Sequence, residues 1–163
     1  MLGFLDVHYR QGAARAACVL AADWADGAAA RSVTTGVSPV EPYAPGLFYR
    51  RELPALLAAL KLAPEVDQIV IDGYVWLDGA GSPGLGAHLF RALGRQTPVV
   101  GIAKSAFKGS AMAIPVVRGS SRRPLYVTSV GLEAELAAEH VRRMHGAHRI
   151  PTLVGLADRL SRE

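Results

Sequence analysis

Two aspartates stand where an isolated charge is expensive. Asp6 lies within the apolar run GFLDVHY (residues 3–9), and Asp72 closes the run QIVID (68–72); a carboxylate set among such neighbours needs a partner. A third acid, Glu52, precedes Pro54 and the stretch LPALLAAL (53–60), which puts it in the first turn of an expected helix, where proline is tolerated. Carboxylates on separate elements are what Mg2+ takes as ligands while keeping several of its waters. Such an ion can activate a water and stabilise charge on a phosphoryl oxygen. The competing reading pairs each acid with a nearby arginine, since ion pairs often imitate sites, and three acids among fourteen settle nothing by type alone. Lys104 follows the apolar run VVGIA and could project toward a phosphate or be an ordinary surface lysine.

The elements that must position these residues follow from periodicity. Residues 3–9 read as a strand ended by a turn at Gln11-Gly12. Residues 14–24 and 29–36 read as two further strands, joined by a tight hairpin at Asp26-Gly27, whose residue types suit the positive φ angles of such a turn. Together they make an antiparallel three-stranded meander. After a proline-bearing irregular segment, helical spacing runs over 51–62. Residues 67–77 hold a buried strand that ends at Asp72-Gly73, 85–93 a helix, and 98–104 a short buried strand. Residues 118–123 read as a polar basic loop, 124–130 as a further strand or extended segment, and 133–144 as a helix. The alternation predicts parallel strands joined by crossover helices. The fold class is therefore α/β, a mixed sheet with a meander followed by strand-helix-strand units, in one domain over 1–163. In open α/β sheets functional residues gather at the carboxyl ends of strands, where Asp6, Asp72 and Lys104 fall. If the first strand lies beside the strand ending at Asp72, their carboxylates can share a cation with Glu52 reaching in from the helix.

Other signals are weaker. Residues 79–84 form a G-x-G-x-x-G, but Pro83 removes a backbone donor and Lys104 stands about where a ribose-binding acid is expected, so a flexible loop is the better reading. His140, His145 and His148 read as a solvated helix end, because 140 and 145 do not share a helix face. Ser38 and Ser105 lack a nucleophile motif. Cys18, the one cysteine, cannot form an internal disulfide and reads as buried.

Net charge is +4, with basic residues gathered at Arg50/Arg51, Arg91/Arg95, Lys104/Lys108, Arg118/Arg122/Arg123 and Arg142/Arg143/Arg149. That balance favours polyanions, against the blander alternative of a mildly basic surface. No apolar run approaches the roughly 20 residues of a membrane span, and no secretory signal pattern is visible. A soluble cytoplasmic protein, monomeric by default and without a membrane partner, is expected.

The segments LDVHY (5–9), YAPGLFYRRELPALL (43–57), IVIDG (69–73), PVVGIAKS (98–105), PLYV (124–127), RIP (149–151) and AD (157–158) span nearly the whole chain. In that order they resemble endonuclease V, a family of metal-dependent enzymes acting on deoxyinosine in DNA and, in some members, on inosine in RNA. The resemblance implies a ribonuclease H-like fold. It implies that Asp6, Glu52 and Asp72 are metal-binding and catalytic acids for Mg2+, with Mn2+ as a substitute, and that Lys104 lies near the scissile phosphate. Tyr43 matches the residue that wedges into the duplex, and Gly46, Gly73 and Gly101 match positions around a pocket for the flipped base. Glycines permit close backbone approach and an aromatic ring can fill a gap in the base stack, so these roles suit the residue types. The implied reaction is hydrolysis of the second phosphodiester bond 3′ to a deaminated purine, in DNA repair.

Two departures accompany the resemblance. Where the family carries His-Pro-Arg, this chain reads YVWLDGAGSPGLG (74–86), with Asp78 near the histidine's place; where the family has Gly-His, near its metal, this chain has Gly131-Leu132. Weaker phosphate contacts and weaker metal binding or turnover are expected. Asp6 comes well before its place in most family members, so the chain reads as a shortened, divergent branch. Two alternatives follow: a nucleic-acid-binding protein that kept the pocket and lost the chemistry, or a hydrolase with a branched, single-stranded or RNA target.

Overall fold

Apolar runs buried on both faces build the first two strands, and a more exposed third strand flanks them. β1 (Leu2–Arg10), β2 (Ala13–Ala21) and β3 (Arg31–Val37) form the antiparallel meander in the computed structural model, which describes all of residues 1–163. The tight hairpin lies at Gln11-Gly12, both with positive φ (51° and 77°). The connection expected to be tight, at Asp26-Gly27, is a wide loop over 22–30. There Asp26 Oδ2 accepts from the amides of Ala22 (3.0 Å) and Asp23 (2.9 Å), so its carboxylate organises a loop instead of a two-residue turn.

The remaining elements are α1 (Tyr49–Lys61), β4 (Gln68–Asp72), α2 (Leu85–Ala92), β5 (Val99–Ala103), β6 (Ile114–Val116), β7 (Leu125–Val130), α3 (Ala134–Arg143) and α4 (Thr152–Arg162). All seven strands join one sheet in the order β3-β2-β1-β4-β5-β7-β6. β1, β4 and β5 are parallel, as expected. Parallel growth stops there, because β7 runs antiparallel to β5 and β6 antiparallel to β7. β6 and α4 were not foreseen from the sequence.

Strand alternation divides the interior into two layers. Leu2, Phe4, Val70, Val100 and Ile102 face one side, where Ala137, Val141, Leu153 and Ala157 of α3 and α4 cover them. Leu5, Cys18, Ile69 and Ile71 face the other, under Leu56 and Ala59 of α1 and Leu89 of α2. Arg118, expected in a solvated basic loop, is buried instead. Its Nη1 and Nη2 donate to the carbonyls of Met144 (2.5 Å), Gly146 (3.1 Å), His148 (2.5 Å) and Arg149 (3.2 Å), binding together the segment between α3 and α4. No helix is long and apolar enough to cross a membrane.

Candidate active site

β1 and β4 stay paired through Leu5 and Ile71, so the next residue on each strand is Asp6 and Asp72. Both continue the face of Phe4 and Val70, and the alternation that builds an apolar layer thus ends in two acids at the carboxyl edge. β5 repeats the device. Val100 and Ile102 face that layer, Lys104 follows in step, and its Nζ lies 2.7 Å from Asp72 Oδ2. α1 leads into the amino end of β4, which brings its first turn, with Glu52, to the edge where β4 stops. No arginine pairs with Asp6 or Asp72; the cation on Asp72 is Lys104.

α4 supplies a further acid that sequence reasoning missed. Leu153 and Ala157 pack it into the layer over β1, and the next residue, Asp158, joins Asp6, Asp72 and Lys104 around a cavity of about 90 Å³. One turn on, Ser161 Oγ donates to Asp6 Oδ2 at 2.6 Å. The signal was present in the AD pair and in the helical spacing of Leu153, Ala157 and Leu160.

Burial raises the Asp6 carboxyl above its ordinary range. The Ser161 hydrogen bond opposes this, Asp72 and Asp158 add to it, and Lys104 counters. Glu52 is pushed up to about 8 by burial, then by the charges of Asp6 and Asp72, with Arg51 partly opposing. Lys104 loses some of its affinity for protons to burial, yet the bond to Asp72 and the charges of Asp72, Asp158 and Asp6 leave it raised. Asp158 is lowered by its hydrogen bond to Arg162, against burial. Acidic groups therefore crowd one edge of the sheet with too little positive charge to satisfy them.

Beside the acids lies a larger, mainly apolar pocket of about 430 Å³, walled by Phe48, Tyr49, Tyr74, Leu77 and Phe107. Gly46 and Gly73 line it, with φ of 76° and 128°. Tyr74 Oη donates to the Ser105 carbonyl (2.8 Å) and accepts from the Phe107 amide (3.1 Å), which fixes that wall. Gly101 lies in β5 beneath the pocket and not on its wall; a Cβ there would collide with the Gly73 carbonyl oxygen. Tyr43 is 63% exposed in the irregular segment before α1. Asp72 lines both the acid cavity and this pocket.

A family model described as Endonuclease V matches residues 1–128. The chain belongs to the endonuclease V family. Endonuclease V of Thermus thermophilus is 32% identical over 94% of this chain and 77% of its own length. That of Rhodospirillum centenum is 33% identical over 71% of this chain. The chain spans 55% of the Rhodospirillum centenum relative and 61% of the Streptomyces avermitilis one. Human endonuclease V superposes with a TM-score of 0.78 at 26% identity, over 99% of this chain and 82% of that one. Ciona intestinalis endonuclease V, solved with a 23-mer DNA containing an inosine followed by a ribo-adenosine, gives 0.80 at 20% identity over 99% and 83%, a likeness of fold. The fold is ribonuclease H-like, as the sequence resemblance implied.

Against endonuclease V, the two departures land in different places. Gly131-Leu132 follows β7, whose end pairs with the start of β5, and Gly131 packs on Pro98. Leu132 therefore sits at the edge of the sheet opposite Lys104, and the expectation that a missing histidine there thins out the metal site is corrected. The 74–86 loop does adjoin the site. Asp78 Oδ1 accepts from the amides of Ala80 (2.9 Å) and Ser82 (3.1 Å), and its Oδ2 from Ser82 Oγ (2.6 Å). The glycine-rich segment is thus a self-bonded turn.

The donor set suits a hard divalent cation, being all carboxylate oxygen and short of compensating charge. No three of these side chains meet at ion-holding distance; Lys104 stands against Asp72 instead.

Proposed function

We propose that this chain is a Mg2+-dependent endonuclease that hydrolyses the second phosphodiester bond 3′ to a deaminated purine, deoxyinosine in DNA or inosine in RNA, in nucleic-acid repair. The supporting observation is that Asp72 forms part of two walls at once: a small cavity ringed by Asp6, Asp158 and Lys104, and an aromatic pocket with room for a purine. The inosine-bearing DNA bound by the Ciona relative is consistent with that pairing. Asp6, Glu52, Asp72 and Asp158 would hold the cation, with Mn2+ as a substitute; when bound, it supplies an activated water and charge stabilisation at the phosphoryl oxygen. The protein's own residues do the rest. Tyr74 and Phe107 offer flat faces to an extruded base, and the open backbone at Gly46 and Gly73 lets amides and carbonyls approach its edge. Tyr43, exposed on its segment, fills the gap in the stack. Ser161 orients Asp6, and Lys104 turns from Asp72 to the phosphate, where its charge meets the charge that develops on the scissile group.

The test is nicking of an inosine-containing oligonucleotide in Mg2+. Wild type should cut, and Asp6→Ala and Asp72→Ala should not; an inert wild type, or cutting that survives both substitutions, overturns the proposal. The Lys104–Asp72 pair favours a second reading, a binder without chemistry. Inosine-strand affinity with no cutting in Mg2+ or Mn2+ would select it.

A further inference from the structure

β1 and β2 outrun the rest of the sheet. β4 leaves β1 after Leu5, whereas β1 remains paired with β2 as far as Arg10↔Ala13, and β2 with β3 as far as Ala14↔Val37. The projecting ribbon has two unlike faces. Val7, Tyr9, Ala14 and Ala16 pack in the layer that α1 covers. His8, Arg10 and Arg15 alternate to the other side, past the end of α4. With Thr34 and Arg162 they line an open groove of about 380 Å³.

The groove is basic and shallow-floored. Arg10 faces Ala13, and Arg15 faces Gly36, so small residues lie between the long ones. Arg10 and Arg15 are exposed. Arg15 Nη2 donates only to Thr34 Oγ1, at 3.3 Å. The acids nearby are Glu163 on the rim and Asp158, which Arg162 already occupies at 2.8 Å. The groove also starts where the acid cavity ends. Ser161 lines it and bonds Asp6, and Asp6, His8 and Arg10 succeed one another on one face of β1, about 7 Å apart at two residues per step.

Resting on the nuclease reading above, we propose that this groove is a binding subsite for the sugar-phosphate backbone of the strand that enters the acid cavity. Arg10 and Arg15 meet phosphates beyond the scissile one, and His8 and Thr34 hydrogen-bond alongside. A polyanion tracked by alternate residues of a strand is held by charge and reads no sequence, which suits a site whose specificity comes from a separate base pocket.

The experiment measures the salt dependence of binding of an inosine-containing duplex by the full chain in EDTA. For Arg10→Gln/Arg15→Gln, the plot of log affinity against log salt should become shallower by about 1.8, about 0.9 for each lost phosphate contact. Arg10→Lys/Arg15→Lys should restore it, and thermal melts confirm that each variant folds. Arg91→Gln/Arg95→Gln, at the far end of α2, should leave the slope unchanged. An unaltered slope in the first variant, or an equal change in the α2 variant, overturns the groove. Cutting in Mg2+ is read separately. Binding with the expected slope change but no cutting by wild type sinks the nuclease reading and keeps the groove. Cutting by wild type with an unaltered slope in the double variant does the reverse.

Discussion

Glu52 is a largely buried carboxyl set beside two other acids. Burial, then Asp6 and Asp72, push its carboxyl from an ordinary 4.5 up to about 8. Between those values the folded chain keeps a proton that the unfolded chain has lost, so the cation-free protein loses stability as pH rises through that window. Glu52→Gln removes the titration. In EDTA at pH 8 it should stabilise the fold by on the order of 1–3 kcal/mol, given about 1.4 kcal/mol per pK unit reduced by relaxation, while cutting in Mg2+ disappears. Melting temperatures at pH 5 and pH 8 check this; a variant with the wild-type pH slope would assign the pH dependence to another group. Asp6, Asp72 and Lys104 were legible in the sequence because each interrupts an apolar alternation that continues on its own face. Asp158 was not. Its helix begins after Pro151 and carries Gly155 in its middle, and its place beside Asp6 depends on α4 crossing β1, a contact between chain ends that no local pattern contains.

Turns and short elements were the least legible, for reasons that local propensity explains. The turn at Gln11-Gly12 was read correctly, but Asp26-Gly27, the stronger hairpin signal, lies in a wide loop that the Asp26 carboxylate organises by accepting from the Ala22 and Asp23 amides. β6 is three residues long and contains Pro115, which suits an edge strand but gives little periodicity to detect. Two substitutions test the packing of elements around the site. Gly101→Ala would set a methyl against the Gly73 carbonyl oxygen, well inside van der Waals contact. The strand or the pocket wall must move, at about 1–3 kcal/mol, with weaker inosine-strand binding; urea denaturation and a binding isotherm at fixed salt read both, and wild-type values in each would show that the loop yields freely. Arg118→Met leaves four carbonyls of the α3–α4 segment without their donor. A loss of about 3 kcal/mol or more is expected, and hydrogen exchange should quicken in α4 before the central strands. Uniform exchange across the chain would mean that Arg118 supports the whole fold equally.

At the scale of the whole molecule, one sheet brings together acids from its strands, a helix on each face and a lysine that neutralises part of them. The mixed sheet and its meander could be read from the sequence, while the reversal at β7 could not, since strand direction is set by connections and not by composition. The same arrangement makes cation binding a competition. Lys104 must release Asp72 and Glu52 must lose its proton for both to serve as ligands, so Mg2+ should bind more tightly at pH 8 than at pH 6. At 100 times its dissociation constant it should stabilise the fold by about 2.7 kcal/mol. The lysine's share is smaller. Its side chain and that of Asp72 are 41% and 34% exposed, and solvent screening limits such a pair to about 0.5–1 kcal/mol. Lys104→Gln should therefore tighten Mg2+ binding about two- to fivefold by calorimetric titration, yet slow cutting, because the charge removed from Asp72 is also the charge the phosphate needs. Unchanged Mg2+ affinity in that variant would put the cation somewhere other than against Asp72, and faster cutting would make Lys104 an inhibitor of the site it guards.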